Sequence, residues 1–166
     1  MQDGDCLKEG IDLLQMAHCF AEMEKGAAKY YQHMAEVNPK LQDLFLKLAT
    51  EESQHSKIFA LLGSQLAQRQ TEDLNNYKFP EYLKAILNKR LKRISFSKGD
   101  TTLTASSNIS EVFEFAYDAE EDAILLYLGL KEVVKDEESQ KILEKIIGEE
   151  MQHIAWLNET KREMGA

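Results

Sequence analysis

Apolar positions recur at the three- and four-residue spacing of helices in four long segments of this chain, and turn signals separate them. The first segment covers residues 7–37. Asn38 suits an N-cap and Pro39 a first helical position, so a second helix is expected at 39–68, almost without a loop. Asn108-x-x-Glu111 reads as a capping box that opens a third helix over 108–135, and Asp136 can cap a fourth over 137–163. Connections this short make antiparallel hairpins of helices one and two, and of three and four. Residues 69–107 exceed what a return along a bundle needs, since roughly 12 extended residues span about 40 Å. A short extra helix is expected from Phe79 to Ile94, started by Pro80 and followed by a Ser/Thr/Gly-rich loop. Such a crossover sets the third helix parallel to the second. The expected fold is all-α, one domain over 1–166, with two αα-hairpins forming a four-helix bundle.

The apolar seams carry residues that do not belong in a core. In the second helix Leu41, Leu48, His55 and Leu62 repeat at heptad spacing, interleaved with Phe45, Glu52 and Phe59. In the fourth, Ile146, His153 and Thr160 interleave with Leu143, Glu150, Leu157 and Met164. The first seam is Phe20, Glu24, Ala27, Tyr31 and Met34; the third is Phe113, Ala116, Glu120, Ala123, Tyr127, Leu130 and Val134. Each hairpin thus repeats one set: Glu24, Tyr31, Glu52 and His55, then Glu120, Tyr127, Glu150 and His153. The pentad Glu51-Glu52-Ser53-Gln54-His55 returns as Glu149-Glu150-Met151-Gln152-His153. Within each, Glu-x-x-His puts a carboxylate and an imidazole on one helix face.

Four carboxylates and two imidazoles in one core would be ruinous without compensation. Two divalent cations balance the four negative charges and leave the imidazoles neutral. Oxygen-rich donors with two imidazoles suit iron, with manganese or a mixed pair as alternatives. The candidate ligands are Glu24, Glu52, His55, Glu120, Glu150 and His153. The seam favours Glu120 over its neighbour Glu121. Tyr31 and Tyr127 are expected to bond the site carboxylates, whereas His18 and His33 have no repeat partner and are read as non-ligands.

Composition narrows the picture further. A formal net charge of −9 argues against a nucleic-acid partner, and the apolar run Ala123–Leu130 is far too short to span a bilayer. The acidic N-terminus lacks the features of a secretion signal, so a cytoplasmic location is expected. Cys6 and Cys19, the two cysteines, form no Cys-x-x-Cys pair and are read as free thiols. The crossover collects Lys78, Lys84, Lys89, Arg90, Lys92, Arg93 and Lys98 against Glu81 and Asp100. That basic run is read as a solvated helix face, with a dock for an acidic partner as the alternative. Ile124, Leu125, Leu126 and Leu128 make the third helix apolar nearly all round, so the crossover or a second subunit must cover it; a homodimer is expected.

These residues resemble the ferritin-like superfamily, and within it the diiron domain of rubrerythrins. The resemblance covers about 7–68 and 108–163. It implies that Glu52 and Glu150 bridge two iron ions, with Glu24, Glu120, His55 and His153 as terminal ligands. It further implies peroxidase activity, the reduction of hydrogen peroxide or dioxygen. The chain departs from the family pattern in two ways: it has no four-cysteine rubredoxin domain, so a separate rubredoxin-type donor is implied, and it has Ala123 where rubrerythrins carry an additional metal-binding Glu. The six-ligand set is equally similar to that of bacterioferritins, which implies ferroxidase and iron-storage activity as the alternative. A diiron hydroxylase and a metal-free interaction bundle are further readings.

Overall fold

Five α-helices and one 3-10 turn make up the described part of the computed structural model, which comprises residues 13–68, 81–96 and 108–165, with side chains described for 14–65, 81–90 and 108–165. Helix α1 is Leu13–Val37, α2 is Gln42–Gln68, α3 is Glu81–Phe96, α4 is Ile109–Val133 and α5 is Glu137–Met164. The turn Pro39–Leu41 joins α1 to α2. The expected long helices are all present, and so is the extra helix of the crossover, displaced slightly along the chain. Residues 7–12 of the first expected helix and most of the crossover outside α3 fall beyond the described residues.

The ends follow from local chemistry. Asn108 Oδ1 accepts from the Ser110 amide and Asp136 Oδ1 from the Ser139 amide, which gives orphan N–H donors at the starts of α4 and α5 an acceptor. Asn38 acts differently from its expected side-chain cap. It occupies the N-cap position of the 3-10 turn, but its Nδ2 donates back to the Met34 carbonyl and closes the end of α1. Gly165 ends α5 in the left-handed region at φ 68°, a conformation open to glycine.

Two apolar clusters show how the helices run. One joins Phe20 and Met23 of α1, Phe59 and Leu62 of α2, Leu126 and Leu130 of α4, and Leu143 and Ile146 of α5. The other joins Tyr31 and Met34, Phe45 and Leu48, Phe113 and Ala116, and Leu157. The C-terminal half of α2 therefore shares a layer with the C-terminal half of α4, so these helices are parallel and each hairpin is antiparallel. Between the layers lies the level of Glu24, Glu52, Glu120 and Glu150.

Helix α3 lies against α1 and α4. Leu83 and Leu87 are buried in the first apolar cluster, and Gly129 makes the close crossing feasible because a Cβ there would collide with the Leu83 side chain. The crossover thus covers part of the apolar surface of α4, while Leu125 and Leu128 stay 49% and 43% exposed. Cys19 is wholly buried and disulfide-bonded. That corrects the free-thiol expectation for Cys19, which rested on compartment rather than on geometry; Cys6 lies outside the described residues. Among the described residues, no helix is long and apolar enough to cross a membrane.

Candidate metal centre

The four seams meet at one level of the bundle. Glu24 from α1, Glu52 and His55 from α2, Glu120 from α4, and Glu150 and His153 from α5 are all buried. Their donor atoms form two overlapping groups: Glu24, Glu52, His55 and Glu150 in one, and Glu52, Glu120, Glu150 and His153 in the other, each within 4.8 Å. Glu52 and Glu150 belong to both. Glu121 is exposed, and neither His18 nor His33 enters a group among the described residues.

Distances within the cluster test whether it fits metal ions. His55 Nδ1 is 3.0 Å from Glu150 Oε1 and 3.3 Å from Glu52 Oε2. His153 Nδ1 is 3.0 Å from Glu150 Oε2, and 3.4 Å from both Glu52 Oε1 and Glu120 Oε2. Two donors held about 2.1 Å from one ion at right angles sit about 3.0 Å apart. Yet both oxygens of Glu150, both of Glu24 and Oε1 of Glu52 are buried with no hydrogen-bond partner. Five buried carboxylate oxygens without a hydrogen-bond partner of their own, set close to two imidazoles, are what a shared cation would satisfy. The residues present fit a metal pair.

Comparison with known proteins points the same way. The rubrerythrin family model matches residues 12–99, more than half of the chain. The chain belongs to the rubrerythrin family. A solved structure from Thermotoga maritima, described as a ferritin-like diiron-carboxylate protein, matches with a TM-score of 0.68 and 23% identity, over 95% of this chain and 99% of that one. At that identity the likeness shows the fold. No match is found among curated proteins. The family match takes in Glu24, Glu52 and His55 and ends before α4, so it is the convergence of side chains that brings Glu120, Glu150 and His153 into the site.

Without metal, burial and mutual charge decide how readily each donor of this rubrerythrin-family site ionises. Burial, and then the Glu52 carboxylate, raises Glu24 well above the usual carboxyl range, against a lowering pull from Arg90. Burial and Glu52 likewise push Glu120 up to about 8. Burial also opposes ionisation of Glu52, but hydrogen bonds from His153 and His55 win and hold it well below that range. Glu150 is lowered by the same imidazoles, against burial and the charge of Glu52. Burial disfavours a charged His55, yet the Glu150 and Glu52 carboxylates beside it raise it to about 10. His153 rises too, held by Glu120, Glu150 and Glu52 against burial. A metal bound here would have to displace the protons of the raised groups.

A further ring of side chains fixes the donors. His55 Nε2 lies 3.2 Å from Glu149 Oε2 and His153 Nε2 lies 3.3 Å from Glu51 Oε2. Each imidazole therefore hands its outer nitrogen to the other hairpin's pentad and keeps Nδ1 for the centre. Glu51 and Glu149 were visible in the repeated pentad, but their roles were not. The Tyr31 hydroxyl donates to Glu120 Oε1, whereas the Tyr127 hydroxyl is buried without a partner. The expected tyrosine bond thus forms on one side only. Glu24 has Arg90 instead, with Nη2 at 3.6 Å from Oε2. Arg90 is 2% exposed, which corrects its reading as part of a solvated or docking face: α3 turns it inward. Its spacing from Leu83 and Leu87 was the available signal, a charge on an apolar stripe.

Ala123 is buried within the first apolar cluster. Its neighbour Asp122 is buried too, but Oδ1 accepts from Lys89 Nζ at 3.0 Å and the residue enters neither donor group.

Proposed function

We propose that this rubrerythrin-family chain is a non-haem diiron oxidoreductase that reduces hydrogen peroxide, or dioxygen, with electrons from a separate rubredoxin-type donor protein. The observation that carries the reading is the pair of buried donor groups sharing Glu52 and Glu150. Bound there, a ferrous pair would supply the two electrons that cleavage of a peroxide O–O bond consumes. Glu52 and Glu150 would hold both ions, Glu24 with His55 would hold one and Glu120 with His153 the other. Tyr31 holds Glu120 in place through Oε1. Phe20, Phe59 and Tyr127 pack edge-on and tilted against one another in the first apolar cluster, with ring centroids 4.7–5.5 Å apart. Glu51 and Glu149 keep each imidazole in the tautomer whose Nδ1 lone pair faces inward.

Anaerobic stopped-flow mixing of iron-loaded, reduced protein with hydrogen peroxide tests the proposal. Oxidation much faster than that of free ferrous ion is expected; an equal rate would overturn it.

One observation favours a second reading. Ala123 gives the centre six protein donors rather than seven, which suits a ferroxidase that passes iron to a store. Size-exclusion chromatography after iron loading separates the two: a large mineral-bearing assembly supports storage. A dimer without mineral supports the oxidoreductase and the homodimer proposed over Leu125 and Leu128.

A further inference from the structure

Arg90 is the buried charge that a six-donor metal centre leaves unexplained. Its Nε, Nη1 and Nη2 atoms are all buried without a hydrogen-bond partner. Among the described residues it pairs with Glu24, whose Oε2 at 3.6 Å lies beyond hydrogen-bond distance. The acids acting on Arg90 are Glu24 first, then Glu120, Glu52 and Glu150. Helix α3 lies against α1 and α4, so it brings the guanidinium to the side that supplies the terminal carboxylates Glu24 and Glu120. The imidazoles come from α2 and α5.

Arg90 leaves a local positive excess on the α1/α4 side of the loaded centre. Four carboxylates and two divalent ions cancel, the further acids Glu51 and Glu149 lie on the α2/α5 side against the imidazoles, and a guanidinium that stays charged at any working pH adds one positive charge beside Glu24. The excess sits in a closed interior beside a fork of unused donors, and both are costly there. One small monoanion removes both costs, and a planar, two-oxygen anion matches the fork.

We propose that the metal-loaded centre binds one small carboxylate-like oxyanion, held by the Arg90 guanidinium beside the Glu24/His55 position. This rests on the dinuclear reading above. The anion would occupy the side of the centre from which Glu24 and Glu120 approach, so it would compete with an oxidant for the same approach. The fork favours formate over linear azide, because formate presents two oxygens to two N–H groups.

The test uses the full chain loaded with cobalt(II), whose visible bands report changes at the metals. Cobalt content is measured first; a wild-type chain that binds no cobalt removes the dinuclear reading, and this proposal with it. Titration of the loaded protein with formate should then shift the bands saturably, with azide binding more weakly. Arg90→Met with unchanged cobalt content should bind formate roughly tenfold more weakly or worse, the worth of a charge-assisted hydrogen bond. Arg90→Lys keeps a charge without the fork, so it should fall between the two and lose the preference for formate. If Arg90→Met does not hold cobalt, Arg90→Lys decides the matter. The proposal is overturned if the loaded wild type shows no saturable change, if Arg90→Met binds formate as tightly, or if Arg90→Lys keeps the formate preference.

Discussion

The two halves of the centre are built from the same repeated residues, yet they are held by different means. On one side Tyr31 donates to Glu120, a hydrogen bond across the bundle from the other hairpin. On the other, the equivalent Tyr127 hydroxyl has no partner and Glu24 faces the Arg90 guanidinium. Sequence repetition supplied the donors twice, and the crossover broke the symmetry once, because α3 packs on one face of the bundle only. The lesson is that a repeat sets ligand identity, whereas the connection between repeats sets the charge around each ligand.

The largest expected effects separate shared from terminal ligands. Glu52→Ala or Glu150→Ala should remove metal from both positions, whereas Glu24→Ala or Glu120→Ala should leave about one ion per chain, because each terminal carboxylate serves one position. Elemental analysis of reconstituted variants checks this. Equal losses from all four would erase the distinction between bridging and terminal roles.

Next come the outer carboxylates. Glu149→Ala acts on His55 and Glu51→Ala on His153, so each should weaken metal binding by about 10- to 100-fold through one imidazole. Competition with a chelating indicator measures it, and unchanged affinity would show that the outer nitrogens need no acceptor.

The metal-free protein should also lose stability as pH rises. Glu120 moves from 4.5 unfolded to about 8 folded, and His55 from 6.5 to about 10. Both folded values are raised, so the stability they contribute is present at low pH and is lost as pH climbs through those windows. Thermal melting with a chelator present should show Tm falling from about pH 5 to pH 10. In Glu120→Gln the fall below about pH 8 should shrink while the later part, from His55, remains. A Tm that stays level across this range would contradict the proton-filled description of the empty centre.

The smallest effect is the sharpest on symmetry. Tyr31→Phe strips Glu120 of a donor and should cost about 1 kcal/mol, a few degrees in Tm. Tyr127→Phe removes a buried hydroxyl that bonds nothing, so it should be neutral or slightly stabilising. Equal melting shifts would mean that the two tyrosines are equivalent after all.

Much of this was legible in the chain itself. A heptad seam reports what faces the core, so Glu24, Glu52, His55, Glu120, Glu150 and His153 stood out as polar residues on apolar lines, and all are buried. The same rule decided Glu120 against the exposed Glu121. Arg90 obeys it too, at heptad spacing from Leu83, but the basic residues around it pointed to a solvated face. Tyr127 marks the limit in the other direction. Its spacing matches that of Tyr31, and periodicity says which way a side chain points without saying what it will meet. Glu51 and Glu149 lie just off the seams, where a partner depends on how the hairpins dock rather than on their own pattern.

The central claim is that six buried side chains from four helices hold a pair of metal ions. Anaerobic reconstitution with ferrous iron, removal of unbound metal, and quantification of iron per chain addresses it most directly. The account predicts about two ions per chain for the wild type, as two donor groups sharing two carboxylates require. A content well below that, with the fold intact, would contradict it.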